Sequence, residues 1–169
     1  MSDEEARIRN YLEAQGAKLS PAAIIEKVRA AMAELRAGAE SVPPARFQDR
    51  PAPEEWSGNE VMAHVVEAGN HFGDQIKRVL DGLAPIEPGQ DRPQKSAARH
   101  TAQEWWAVLE RDREVLFERV LRADPMARLD QKIEHGMFGT LTWRETLLFL
   151  RLHDLDHARQ LDKIAAALG

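Results

Sequence analysis

Six histidines are the residues of this sequence best suited to chemistry, and two of them, His153 and His157, stand four apart in the segment HDLDH. On a helix an i, i+4 pair projects from one face, one turn apart, which is the spacing at which two imidazoles meet a single metal ion. At about 100° per residue the surrounding segment puts Trp143, Leu147, Leu150, His157, Leu161, Ile164 and Leu168 on one stripe that must face a core. His157 lies inside the stripe and His153 on its edge. Asp154 also falls inside it, where a carboxylate is costly to bury unless it is paired or hydrogen-bonded, so it is a candidate to support a ligand histidine from behind.

A second stripe runs through Val61, Val65, Ala68, Phe72, Val79 and Leu83, with His64 on its border and His71 almost directly below. Two helical turns separate these histidines, about 10 Å, so only one of them can belong to a single site. Glu67, one turn beyond His64, is the nearest carboxylate for a fourth ligand or a general base. His100 and His135 fall in linkers and receive no role, and Trp56, Trp105, Trp106 and Trp143 read first as packing residues near helix starts. Cysteine is absent, which removes disulfides, thiolate nucleophiles, zinc ribbons and iron–sulfur clusters, so any metal must use His, Asp or Glu.

The elements that must position these side chains are separated by three Gly- and Pro-rich stretches, VPPARFQDRPAPEEW, GLAPIEPGQDRPQ and HGMFGT. Ser20–Pro21 is an N-cap followed by proline at the first helical position and opens a helix over 21–40. Three later helices each begin with a hydroxyl residue followed three places on by Glu, at Ser57 with Glu60, Thr101 with Glu104 and Thr142 with Glu145. These are capping boxes, and they predict helices over 58–83, 102–123 and 143–167. A short amphipathic helix over 3–14 precedes them, and Leu129 to Met137 has the pattern of a small hairpin ahead of Gly139. The fold class is all-α, a four-helix bundle with connections long enough for at least one crossover.

At 169 residues and 43% hydrophobic, the chain suits one domain spanning 1–169. A formal charge of -5 gives no electrostatic reason for a nucleic-acid partner. No apolar run reaches the length of a membrane span and the start MSDEEARIRN is acidic, so the expected location is the cytoplasm, with no membrane partner.

The segment WSGNEVMAHVVEAGNHFGDQIKRVL resembles the W-S-x-x-E-x-x-x-H helix of the DinB-like (DinB/YfiT) superfamily of helical metalloproteins. FGTLTWRETLLFLRLHDLDHARQL is similar to that family's G-x-L-T-W…H-D-x-x-H-x-x-Q segment. The resemblance is closest over 56–83 and 136–161. It implies a four-helix bundle whose metal ligands are His64, His153 and His157, with zinc or nickel as the usual ion and often a homodimer. Relatives include thiol transferases and hydrolases, so the implied partners are a small-molecule substrate or a low-molecular-weight thiol. Three neutral imidazoles leave an ion charged with at least one open position, the pattern of a catalytic site, at which a water becomes a nucleophile or a thiol ionises.

Two functions therefore stand side by side. One is a metal-dependent enzyme, a hydrolase or thiol transferase, whose catalytic residues are unknown but whose proton transfers fall to Glu67 or Asp154. The other is a non-catalytic dimeric bundle acting as a binding or stability module. Dimerisation has its own motive in Leu148, Leu152 and Leu155, a second apolar line on the last helix that must be covered either by the first helix or by another protomer.

Overall fold

The computed structural model describes residues 1–84, 86 and 98–169. Five helices follow in order: α1 (Asp3–Lys18), α2 (Pro21–Ser41), α3 (Gly58–Leu80), α4 (Ala102–Leu121) and α5 (Trp143–Leu168). A short 3₁₀ turn (Pro44–Arg46) follows α2, and a hairpin of β1 (Ile133–His135) and β2 (Gly139–Leu141) precedes α5. Capping boxes open α3, α4 and α5, and Ser2 with Glu5 adds a fourth at α1. Each satisfies two backbone N–H groups that the helix itself cannot.

Helices α2 to α5 form a four-helix bundle whose directions can be read from single contacts. Arg144 at the start of α5 donates to the carbonyl of Leu19 just before α2, and Gly38 near the end of α2 lies against Ala158 and Leu161, so α2 and α5 are parallel. Trp56 ahead of α3 meets His157 while Phe72 farther along meets Phe149, so α3 runs against α5. Asn59 at the start of α3 accepts from Trp105 Nε1 at 2.7 Å, and Arg119 near the end of α4 donates to Leu80 O at 3.0 Å, so α4 is parallel to α3. The order is up-down-down-up, so the end of α3 and the start of α4 lie at opposite ends of the bundle. Two amide side chains of α3 hold the described ends of the α3–α4 connection, Gln75 at Ile86 and Asn59 at Ala98 and His100. The GLAPIEPGQDRPQ linker lies mostly outside the described residues.

Several boundaries depart from the sequence reading. α1 continues to Lys18, and α3 stops at Leu80, leaving Leu83 50% exposed rather than in the core stripe. The reason is Gly82, whose φ of +77° is left-handed. The Gly82 and Leu83 N–H groups turn back to the Val79 and Arg78 carbonyls, the two bonds of a Schellman cap. The hairpin pairs Ile133 with Leu141 and His135 with Gly139, so Gly139 belongs to its second strand instead of following it.

α1 lies antiparallel along the first half of α5, with Tyr11 Oη accepting from Arg151 at 3.0 Å and Gly16 against Glu145. It is the first helix, then, that covers the second apolar line of α5. Leu148 is fully buried and Leu152 packs on the core, while Leu155 stays half-buried. Arg144, buried at the α1–α2 corner, also donates to Gly16 O at 3.0 Å, a carbonyl left over at the end of α1, and to Pro125 O at 2.9 Å in the segment after α4. Among the described residues no helix is long and apolar enough to cross a membrane.

Candidate metal centre

The side chain of His64 is placed by the start of α3. Ser57 Oγ accepts from Glu60 N at 3.1 Å and Glu60 Oε1 accepts from Ser57 N at 3.1 Å, while Arg50 grips the same carboxylate through two bonds of 2.7 and 2.6 Å. That grip, with the cap bonds beside it, holds the Glu60 carboxyl below the usual carboxylate range. His64 follows one turn later on the buried side. His153 and His157 come from the middle of α5, whose own start is fixed by Thr142, Glu145 and the buried Trp143, which donates through Nε1 to Ala127 O at 2.7 Å.

The structure brings His64, His153 and His157 together. All three are buried, and one ring nitrogen from each lies within 4.8 Å of the others. Nε2 of His64 and Nε2 of His153 are 3.1 Å apart. Two nitrogens bound tetrahedrally to a zinc ion at 2.0–2.1 Å would stand about 3.3 Å apart, so the donor type and the His64–His153 spacing fit a divalent ion.

The protonation of His157 is fixed by its neighbours. Its Nδ1 lies 2.8 Å from Gln160 Oε1, and since an amide oxygen only accepts, Nδ1 carries the proton and Nε2 keeps its lone pair. Burial first, and then the neighbouring His153 and His64, push the His157 pKa down to about 4 against the opposing hydrogen bond to Gln160, so the ring is neutral at neutral pH.

Aromatic rings close both ends of the groove between α3 and α5. Trp56 presents an edge contact to His64 with centroids 5.2 Å apart and lies parallel to His157 at 6.4 Å. At the other end Phe149 and Phe72 stand 5.8 and 6.5 Å from His153. His135, to which the sequence reading gave no role, is carried by the hairpin onto Phe72, Phe138 and Phe149. Beyond Trp56 an open cleft of about 420 Å³ is lined in part by Pro51, Gln160, Lys163 and Ile164, so Trp56 and Gln160 face both the cleft and the histidines.

The remaining candidates are not brought to this cluster. Glu67 is exposed and lies outside the group of mutually close donors, because α3 turns it away from the face that buries His64. His71 is half-buried with its ring against Phe72, and burial lowers its pKa. Asp154 is fully buried, and the bonds to its carboxylate come from Arg113. Both its oxygens accept from Arg113, Oδ2 from Nη1 at 2.7 Å and Oδ1 from Nη2 at 2.9 Å. Arg113 was missed, although it sits at helical spacing with Trp105, Leu109, Leu116 and Val120 on the apolar stripe of α4, where a buried cation calls for a buried anion. Gln160, three residues after His157, was legible by helical spacing, since residues three apart are neighbours on a helix surface.

The sequence profile of the DinB superfamily matches residues 6–161. A solved structure described as the crystal structure of TT2238, a four-helix bundle protein, aligns with a TM-score of 0.64 at 20% identity, covering 85% of this chain and 99% of that one. That likeness is one of fold. No curated protein matches the sequence.

Proposed function

We propose that this chain, which belongs to the DinB superfamily, is a divalent-metal-dependent protein acting on a small molecule, as a hydrolase or a thiol transferase, with His64, His153 and His157 holding the ion. The observation that carries this reading is the convergence of three buried imidazole nitrogens within 4.8 Å, one of them with its outer nitrogen already bonded to Gln160. Zinc or nickel suits an all-imidazole donor set. A bound ion would supply Lewis acidity to a water or a thiol at its open position.

The chain's own residues do the rest. His64, His153 and His157 bind through their lone pairs, so none of those nitrogens can also take a substrate proton. Gln160 holds the His157 proton on Nδ1, and Trp56 at one end with Phe72 and Phe149 at the other limits solvent around the rings. Low-molecular-weight thiols and hydrolysable small molecules are the proposed partners, and the cytoplasm the proposed location. A homodimer stays in this reading on the family resemblance alone, because α1 already covers Leu148 within the chain. Light scattering on gel-filtered protein decides it, and a monomer at micromolar concentration removes it.

The second reading, a non-catalytic bundle, has one observation in its favour: at 3.1 Å, His64 and His153 can share a hydrogen bond and stabilise the core without an ion. Elemental analysis of protein prepared without an affinity-tag metal, followed by zinc and nickel titration, separates a metal centre from a metal-free core. The enzyme reading expects about one ion per chain, lost in His157→Ala and kept in His71→Ala. Protein that stays empty, or His157→Ala that binds as well as the parent, refutes it. A thiol-transfer and esterase screen of the loaded protein then tests for turnover.

A further inference from the structure

Helix α4 contributes no member of the histidine cluster, yet its Arg113 reaches the residue between the two histidines of α5. Asp154 directly follows His153 and precedes His157 by three positions, so whatever fixes the rotation of Asp154 about the α5 axis fixes both imidazoles. The fork-on-carboxylate geometry, with bonds of 2.7 and 2.9 Å, restricts the relative orientation of the two helices. The guanidinium also keys α3, the helix that carries His64. Gly69 faces it so closely that a Cβ there would stand 3.2 Å from Nη2 and 3.4 Å from Nε. One side chain thus touches both helices that supply the cluster.

We infer that the Arg113–Asp154 pair, seated on Gly69, is the positioning device of the histidine centre, setting the rotation of α5 so that His153 and His157 aim at His64. This rests on the metal reading above. The magnitudes favour it over a role in stability. A buried ion pair is a weak source of stability, and an apolar pair of similar volume often serves as well or better. Apolar contacts are non-directional, so they resist a turn of α5 about its own axis less specifically than two guanidinium–carboxylate bonds do. An imidazole nitrogen about 6 Å from a helix axis moves by about 1 Å for a turn of about 10°, about five times the 0.2 Å tolerance of a metal–ligand distance.

The test compares zinc affinity, by competition with a chromophoric chelator, and the visible spectrum of the cobalt-substituted protein in three chains: the parent, Arg113→Met with Asp154→Leu, and Gly69→Ala. The apolar double variant should keep its helical circular dichroism and melt at or above the parent, yet bind zinc at least tenfold more weakly with an altered cobalt spectrum. Gly69→Ala should show the same loss with both charges in place. A folded double variant with the parent's zinc affinity and cobalt spectrum overturns the inference. If the double variant does not fold, Gly69→Ala decides alone by the same two readouts. A parent that binds no zinc refutes the metal reading and this inference with it, whereas a parent that binds alongside variants that bind equally refutes only the inference.

Discussion

Gln160 Oε1 stands 2.8 Å from His157 Nδ1, and this one bond fixes which imidazole nitrogen is presented to His64 and His153. It also makes the ring a better donor, as hydrogen-bond partners of metal-bound histidines generally do. Gln160→Ala is therefore expected to weaken zinc binding about 10-fold, the lower end of what such outer partners contribute, with little change in apo stability because the position is half-buried. Gln160→Glu keeps an acceptor and should retain the affinity. Chelator competition measures both, and an alanine variant with parental affinity would show that the bond plays no part in binding.

The low pKa of His157 sets a pH dependence whose sign can be worked out. The folded ring titrates near 4 and the unfolded one near its ordinary value of about 6.5, so between these limits the unfolded chain binds a proton that the folded chain does not. Apo-protein stability from this residue is full above about pH 6.5, falls as the pH drops, and levels below about 4. The gap is worth about 3 kcal/mol. Urea unfolding of apo protein at several pH values, parent against His157→Gln, should show the extra acid slope in the parent alone; parallel curves would contradict it.

Breaking the buried pair from one side differs from replacing it whole. Arg113→Met leaves Asp154, which is fully buried, with no counter-charge, and Asp154→Leu strands Arg113 likewise. Each single change should cost about 3–5 kcal/mol, far more than the double change, because an uncompensated charge stays in the core. Equilibrium unfolding of the four chains forms the cycle, and additive single effects would show that the two side chains do not depend on each other.

Much of this architecture was legible because helix starts carry local chemistry. Ser57, Thr101 and Thr142 each with Glu three residues on marked where α3, α4 and α5 begin, and the apolar spacing around His157 marked the buried face of α5. Helix ends were less legible. The left-handed Gly82 was present, but Leu83 continued the apolar spacing and hid the stop. Tertiary choices were harder still. Asp154 needed a partner, and periodicity within one helix could not say whether a neighbouring histidine or a distant arginine would supply it. His135 carried no local signal at all, since only the pairing of β1 with β2 brings it onto Phe72 and Phe149.

The capping boxes of α3 and α4 have the same geometry, with Ser57 and Thr101 each accepting from a Glu backbone N–H at 3.1 Å, but only α3 leads into the histidine cluster. Removing either hydroxyl should cost about 1 kcal/mol, or about 2–4 °C of melting temperature for a chain of this size. The consequences for the site should differ. Ser57→Ala loosens the first turn of α3, between Trp56, which lies against His157, and His64 one turn on. Thr101→Ala loosens the start of α4, a helix that carries none of the three imidazoles and meets α3 there through the Trp105–Asn59 bond. Zinc affinity should therefore fall several-fold in Ser57→Ala and stay at the parental value in Thr101→Ala, despite similar losses of melting temperature. Paired measurement of melting temperature and zinc affinity on the two variants checks this. Equal affinity losses would mean that the site responds to global stability rather than to the helix start that carries it.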